Sequence, residues 1–198
     1  MKFLKLHSII FLFLVAGCLS ACGQTKVLVT YYSRDGHTKA LAEAVAKGAQ
    51  SIEGITVRLI PVGDVKTNDL LETDAIIVGS PVYNANVAPE VSAFFSTWPF
   101  EGAPLKDKVG AAFATGGGIS AGEELTQLSI LHSMLIFGMV IVGGPTWEQP
   151  FGASAITHEK PFGSTTKGVV DEMFLEKGTA LGKRVAEIAK MMKAKLSN

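Results

Sequence analysis

The sequence predicts an α/β fold: a parallel sheet of five strands in the order 2-1-3-4-5, covered on both faces by helices. Two observations predict it. Five short apolar runs, rich in β-branched residues and nearly free of charge, alternate with segments of helical period. Strands of that composition are buried on both faces, as in a parallel sheet. The loops after runs one, three and four are rich in glycines, hydroxyls and amides. In the expected order these loops meet beyond the carboxyl ends of the strands, where ligands bind at the reversal of strand order. No Pro/Gly/Ser linker, charge block or repeat divides the chain, so residues 25–198 are expected to form one domain.

The first strand is Val27-Leu28-Val29-Thr30-Tyr31-Tyr32, and a small polar loop follows it. Leu41, Ala42, Val45, Ala46 and Ala49 then place one apolar face on a helix. Strand, hydroxyl-bearing loop and helix make an anion site, because free N–H groups and the positive end of the helix dipole point into the loop. Ser33, Arg34, Asp35, Gly36, His37 and Thr38 accordingly read as a phosphate cradle, with Ser33 and Thr38 adding hydroxyl donors. Helix capping accounts for the same residue types, and His37 is expected to cap rather than to move protons. The loop has neither the lysine of a P-loop nor the three glycines of a dinucleotide fingerprint, so a monophosphate suits it best.

Ile55 to Ile60 reads as a second strand near an edge, and helix signals in the next stretch are confined to Asp69-Leu70-Leu71-Glu72. Asp74 to Gly79 is the third strand, ending in a loop from Ser80 to Asn86. Ala88 to Trp98 is helical, with Pro89 in the first turn. Lys108 to Ala114 is the fourth strand. It runs into Thr115-Gly116-Gly117-Gly118, where three glycines suit close approach of a ligand and a merely flexible turn is the alternative. A helix from Glu123 to Phe137, a fifth strand from Met139 to Gly143, an irregular stretch to about Phe174 and a helix from about Leu175 to Leu196 complete the chain.

Lys2 and Lys5 precede an uncharged run from Ser8 to Gly17, too short for the ~20 apolar residues of a membrane span. Residues 1–21 have the pattern of a secretory signal. Leu19-Ser20-Ala21-Cys22 resembles the bacterial lipobox, whose cysteine is acylated; the stretch ending at Cys18 is a poorer match. The protein is therefore expected to be exported and membrane-anchored through an N-terminal lipid on Cys22. An ordinary signal peptide or an uncleaved N-terminal anchor is the alternative. Loss of the signal leaves sixteen basic and eighteen acidic residues, a net charge of −2, which argues against nucleic-acid binding. The domain then holds no cysteine, so disulfides and thiolate chemistry are excluded. His37, His132 and His158 are far apart in sequence and have no ligand spacing, so no metal site is expected.

Five motifs, in this order, resemble the flavodoxin-like superfamily and, within it, the WrbA-type NAD(P)H:quinone oxidoreductases. Tyr31-Tyr32-Ser33-Arg34-Asp35-Gly36-His37-Thr38 is similar to the family's phosphate loop. Gly79 to Val87 parallels its G-[ST]-P-T-R-F-G-N-M loop beside the isoalloxazine, and Ala114 to Gly118 its glycine-rich segment. Phe137 to Val142 and Pro150 to Ile156 match its H-G-M-V-I-V and P-[YF]-G-A-[ST]-x-I runs. Two departures stand out. Val82-Tyr83-Asn84 replaces Thr-Arg-Phe, and Ile136-Phe137-Gly138 replaces His-His-Gly, so an arginine and a histidine that the family places near the flavin are missing.

The resemblance implies a flavodoxin-like three-layer sandwich that binds FMN, with the flavin rather than any protein group carrying the chemistry. It implies that Ser33, Thr38 and the amides from Arg34 to Thr38 hold the phosphate. Pro81, Val82, Tyr83, Asn84, Ala85 and Asn86, with Thr115, Gly116, Gly117 and Gly118, would offer backbone groups to the ring edge, Tyr83 lying against the ring. Trp98 and Trp147 are candidates for walls of a substrate cleft, although a lone tryptophan is more often a packing residue. The activity implied is two-electron reduction of a quinone or other small acceptor by NAD(P)H, with hydride passing through flavin N5. The alternatives are a membrane-tethered flavodoxin-type electron carrier and a non-catalytic exported lipoprotein that keeps the fold. The family's tetramers imply a homodimer or homotetramer.

Overall fold

The first strand, β1 (Thr25–Tyr31), sends alternate side chains into two separate cores. Val27, Val29 and Tyr31 meet α1 (His37–Gln50) and α5 (Glu172–Leu196), while Leu28 faces the opposite layer. That layer holds α2 (Thr67–Leu71), α3 (Pro89–Phe95) and α4 (Glu123–Leu135). The period-two geometry of a strand imposes this split, and it makes a three-layer sandwich of an apolar strand flanked by amphipathic helices. The structure is a computed structural model and describes residues 23–164 and 166–196. The expected signal segment, with Cys18 and Cys22, lies outside the described residues. Among the described residues no helix is long and apolar enough to cross a membrane.

The sheet is completed by β2 (Ile55–Pro61), β3 (Ala75–Tyr83), β5 (Val109–Gly116) and β6 (Val140–Ile141), with two added strands, β4 (Asn86–Val87) and β7 (Ala153–Ile156). Its main path runs β2-β1-β3-β5-β6, all parallel. That is the expected 2-1-3-4-5 order, widened to seven strands. Register places Tyr31 beside Gly79 and Pro81 beside Thr115, so β1, β3 and β5 end at one edge.

Three expectations are corrected. The stretch from Ser80 to Asn86 is a hairpin, not an open loop: Val82 pairs with Val87 and Tyr83 with Asn86. Asn84 (φ 52°) and Ala85 (φ 60°) make its two-residue turn, both in the left-handed region that such hairpins require. The fifth strand is shorter than expected, pairing only through Val140 and Ile141 with Val109 and Gly110. Its role is finished by β7, in the stretch read as irregular, which pairs with Phe113 to Gly116. Ala153-Ser154-Ala155-Ile156 has little strand propensity of its own, so its partner decides its conformation. Gln127 Nε2 donates to the Ala153 carbonyl at 2.7 Å and holds it there. Lastly, α5 starts about a turn earlier than expected, where the Asp171 carboxylate accepts from the Met173 amide at 3.0 Å.

Helices α1 and α5 cross at very short range. A Cβ at Gly48 would run into the Thr179 carbonyl, and one at Gly182 into the carbonyl of Val45. These glycines let backbone lie on backbone, as no side chain would. Gly182→Ala is expected to lower stability by about 2 kcal/mol through overpacking, read as a reduced urea midpoint at unchanged slope.

Candidate functional site

Beyond Tyr31 the chain stays beside β3 for one more residue, the Tyr32 amide donating to the Gly79 carbonyl at 3.2 Å. It then turns through Ser33, Arg34, Asp35 and Gly36. Ser33 Oγ accepts from the Gly36 amide at 3.1 Å, leaving its own O–H free to donate outward. Gly36 is the N-cap of α1 and has φ 91°; a Cβ there would stand 3.1 Å from Gly168 Cα. Glycine is thus required at this position twice over. The Ala40 amide reaches the Gly36 carbonyl at 2.9 Å, and the amides of His37, Thr38 and Lys39 precede that first helical bond. No side chain caps the helix, so the expected cap at His37 is not made. His37 is instead the first helical residue and is only 7% exposed.

Three further segments close around this turn to make a cleft of about 200 Å³. From the β3 hairpin come Pro81, Val82 and Tyr83; from the end of β5 come Thr115 and Gly117; from the segment after β7 come Thr157 and His158. The hydroxyls of Thr38 and Thr115 lie 2.8 Å apart and buried. Whichever of them donates, the other keeps its hydrogen for a ligand. Ser80 Oγ, fully buried, accepts from the Ala88 amide at 2.9 Å and donates to the Pro81 carbonyl at 2.8 Å, fixing the hairpin from behind.

The glycine turn is less available than its composition suggests. The Gly116 carbonyl accepts from the Thr157 amide and hydroxyl, both at 2.9 Å. The Gly117 carbonyl accepts from the amides of His158 and Glu159 at 3.0 and 2.9 Å. Gly116 lies against the Glu123 side chain, and a Cβ at Gly118 would stand 2.6 Å from a Glu159 carboxylate oxygen. Both carbonyls are committed to the 157–159 segment, and what the turn offers a ligand is N–H.

Ten of the expected residues line the cleft: Ser33, Arg34, Asp35, His37, Thr38, Pro81, Val82, Tyr83, Thr115 and Gly117. Gly36, Gly116 and Gly118 shape the turns behind the lining, while Asn84, Ala85 and Asn86 form the exposed tip of the hairpin. Neither tryptophan walls the cleft. Trp98 is 5% exposed and packs with Phe94, Phe95 and Phe137, and Trp147 is 86% exposed elsewhere. His132 sits exposed on α4, away from the cleft lining. Thr157 and His158 are the residues that sequence reasoning missed; only β7, which carries them to this edge, would have revealed them.

Charge at the rim is paired. Arg34 Nε meets Asp35 at 3.2 Å and its guanidinium stands over the Tyr83 ring, 5.4 Å from the centroid. Asp35 also meets Lys167 at 3.3 Å. The Arg34 hydrogen bond, then Lys167, holds the Asp35 carboxyl below its usual range. Arg34 thus brings a guanidinium from the turn after β1 to the hairpin's Tyr83. Tyr32 meets Tyr83 edge-on at 6.4 Å, and a hydrogen bond with Glu90 leads the causes that push the Tyr32 phenol up to about 12. In the lining, the His37 and His158 rings meet edge to face with centroids 5.4 Å apart. Burial first, then the His158 ring, lowers the His37 pKa below the ordinary 6.5. A larger groove of about 530 Å³, lined by Val62, Val65, Leu70 and Phe94, meets this region at Tyr32. It is mostly apolar, and the Glu90 carboxylate shares its lining with Lys66 and the head of the single-turn α2, so it suits a phosphate less than the cleft does.

Residues 67–153 match the family model described as NADPH-dependent FMN reductase. The chain is 37% identical to an NAD(P)H dehydrogenase (quinone) of Azorhizobium caulinodans, over 74% of this chain and 84% of that protein. It is also 37% identical to a flavodoxin of Aquifex aeolicus, over 60% of this chain but only 64% of the relative. Among solved structures, a flavodoxin, WrbA-like protein from Agrobacterium tumefaciens superposes with a TM-score of 0.68 at 24% identity, covering 84% of this chain and 98% of that one.

A histidine with a lowered pKa makes stability depend on pH with a definite sign. The unfolded chain binds a proton near pH 6.5 that the folded protein refuses, so stability is expected to fall as pH drops through that value. Thermal denaturation of the protein alone between about pH 8 and about pH 5.5 should show the loss, and His37→Gln should flatten it.

Proposed function

The chain belongs to the NAD(P)H dehydrogenase (quinone) family, and from that premise we propose that the cleft holds FMN and serves two-electron reduction of a quinone or similar small acceptor by NAD(P)H. The observation that carries this reading is the convergence, at the positive end of α1, of free amides with the hydroxyls of Ser33 and the Thr38–Thr115 pair. A phosphate dianion is the ligand such a donor set fits. Bound there, FMN supplies the exchange of reducing equivalents that no side chain of the cleft can.

The protein's part is placement. The head of α1 would grip the phosphate, and the rigid hairpin would set Pro81, Val82 and Tyr83 along the flavin. The Gly117 amide would donate to the ring edge, where a fixed donor stabilises charge that builds on reduction. Arg34, clamped between Asp35 and Tyr83, would place a positive charge at the rim without reaching for the phosphate. The flavodoxin match supports a second reading, an electron carrier without a substrate site.

Two further proposals concern the surface and the N-terminus. Leu125, Leu128, Leu135 and Ile136 are exposed along α4 and just past it, which supports association into a homodimer or homotetramer. The lipobox-like residues support a lipid on Cys22 and attachment to the membrane. Detergent-extracted full chain should show an acyl-modified mass starting at Cys22 and sediment as an oligomer that Ile136→Glu disperses; an unmodified monomer would refute both.

The purified protein is expected to be yellow. Riboflavin should bind about 100-fold more weakly than FMN, equivalent to one or two lost charge-assisted hydrogen bonds. Stopped-flow mixing with NADH should bleach the flavin rapidly; slow bleaching would favour the carrier, and failure to take up flavin would remove both readings.

A further inference from the structure

His37 and His158 meet in the lining of the cleft, and neither side chain is used by the placement of FMN described above. His37 Nε2 is buried with no hydrogen-bond partner, although the residue is only 7% exposed and lines the cleft. The ring's hydrogen bond with the Thr166 backbone therefore falls to the other nitrogen, Nδ1, which must carry the hydrogen if it is to donate to a carbonyl. The tautomer of His158 follows from its neighbour. The Thr157 hydroxyl gives its hydrogen to the Gly116 carbonyl at 2.9 Å, so at 2.7 Å from His158 Nδ1 it can only accept. Nδ1 of His158 thus holds the hydrogen as well. Each ring in this tautomer carries a lone pair on Nε2, and both residues line the cleft beside the donors of Ser33, Thr38 and Thr115.

A lone pair facing a phosphate oxygen repels it, and protonation turns the same nitrogen into a charged donor. We propose that a phosphate monoester enters this cleft together with one proton from solvent, which the His37–His158 pair accepts. The pair holds one proton rather than two, because a second charge would sit against the first at a centroid separation of 5.4 Å. Before binding, burial and the neighbouring ring keep His37 neutral near pH 7. The charged groups around the pair are two cations and two carboxylates. Asp35 is held by Arg34 and Lys167, and a Glu159 carboxylate oxygen accepts from the Ile119 amide at 2.6 Å. The Tyr83 phenol, the remaining titratable neighbour in the lining, lies under Arg34. Arg34 and Lys167 carry two positive charges against the two carboxylates of Asp35 and Glu159, so together these groups bring no net charge to the incoming anion, and the proton supplies it.

The inference rests on the reading of the cleft as a phosphate site, and the experiment separates the two. Full chain freed of flavin is titrated with FMN near pH 7 by calorimetry in two buffers of different ionisation enthalpy. The expected result is uptake of about one proton per FMN, and an affinity that rises about tenfold per pH unit of acidification relative to the variants. Riboflavin should bind without uptake. Binding of the FMN phosphate as the dianion would release protons, since its second ionisation lies at about pH 6, whereas binding as the monoanion would take one up on the ester. A phosphorus NMR shift of bound FMN at the dianion value is expected, and a monoanion value overturns the assignment of the proton to the histidines. His158→Gln, at an exposed position, and His37→Asn should each abolish most of the uptake. FMN binding with no uptake, or with uptake unchanged in both variants, overturns the proton-linked site alone. No FMN binding at any pH overturns the phosphate site with it.

Discussion

The parallel register of β1, β3 and β5 is the constraint on which the rest of the molecule depends. Tyr31 stands beside Gly79 and Pro81 beside Thr115, so three crossover connections are released at one edge and have nowhere to go but toward each other. A slip of one residue would reverse which side chains meet α1 and which meet α4, because the two cores take alternate residues of the same strands. The hydroxyl contact between Thr38 and Thr115 is then a consequence of sheet geometry rather than of loop sequence. The α1–α5 crossing at Gly48 and Gly182 presses α1 onto the sheet and fixes where its first amides point.

The features legible in the sequence are those decided locally. Val27 to Tyr31 could only be a strand buried on both faces, and the turn from Ser33 to Thr38 could be read as a helix head from its residue types. The illegible ones depend on partners distant in the chain. Ala153 to Ile156 is a strand because Phe113 to Gly116 accepts it there and Gln127 pins it. His158 belongs to the cleft for the same reason, 121 positions after His37 in the numbering yet in ring contact with it. The glycine run misled in a different way. Its composition signals close approach, but two of its carbonyls turn to the 157–159 segment and not to a ligand.

The geometry of the cleft gives the residues that depart from the family pattern a role of their own. The hairpin has a tyrosine where the resemblance led one to look for arginine, and Arg34 reaches that tyrosine from across the cleft. Function in such a fold resides in the site and not in the sheet that carries it. In this chain the positive group at the rim comes from the turn after β1 and not from the hairpin. The oxidoreductase chemistry needs the flavin to be placed and its environment polarised, and neither task requires a protein acid or base.

The outermost strand is broken in two, and each half is secured separately. β6 is held by Val109 and Gly110, β7 by Phe113 to Gly116 and Gln127, and the backbone between them leaves the sheet at Val142 and returns at Gly152. Chain could be spliced into the excursion around Trp147 without shifting either anchor. Each doubling of its length would cost only about 0.6 kcal/mol of closure entropy. This gives the molecule a place to acquire new sequence, such as a partner-binding arm, while the edge that carries the cleft keeps its geometry.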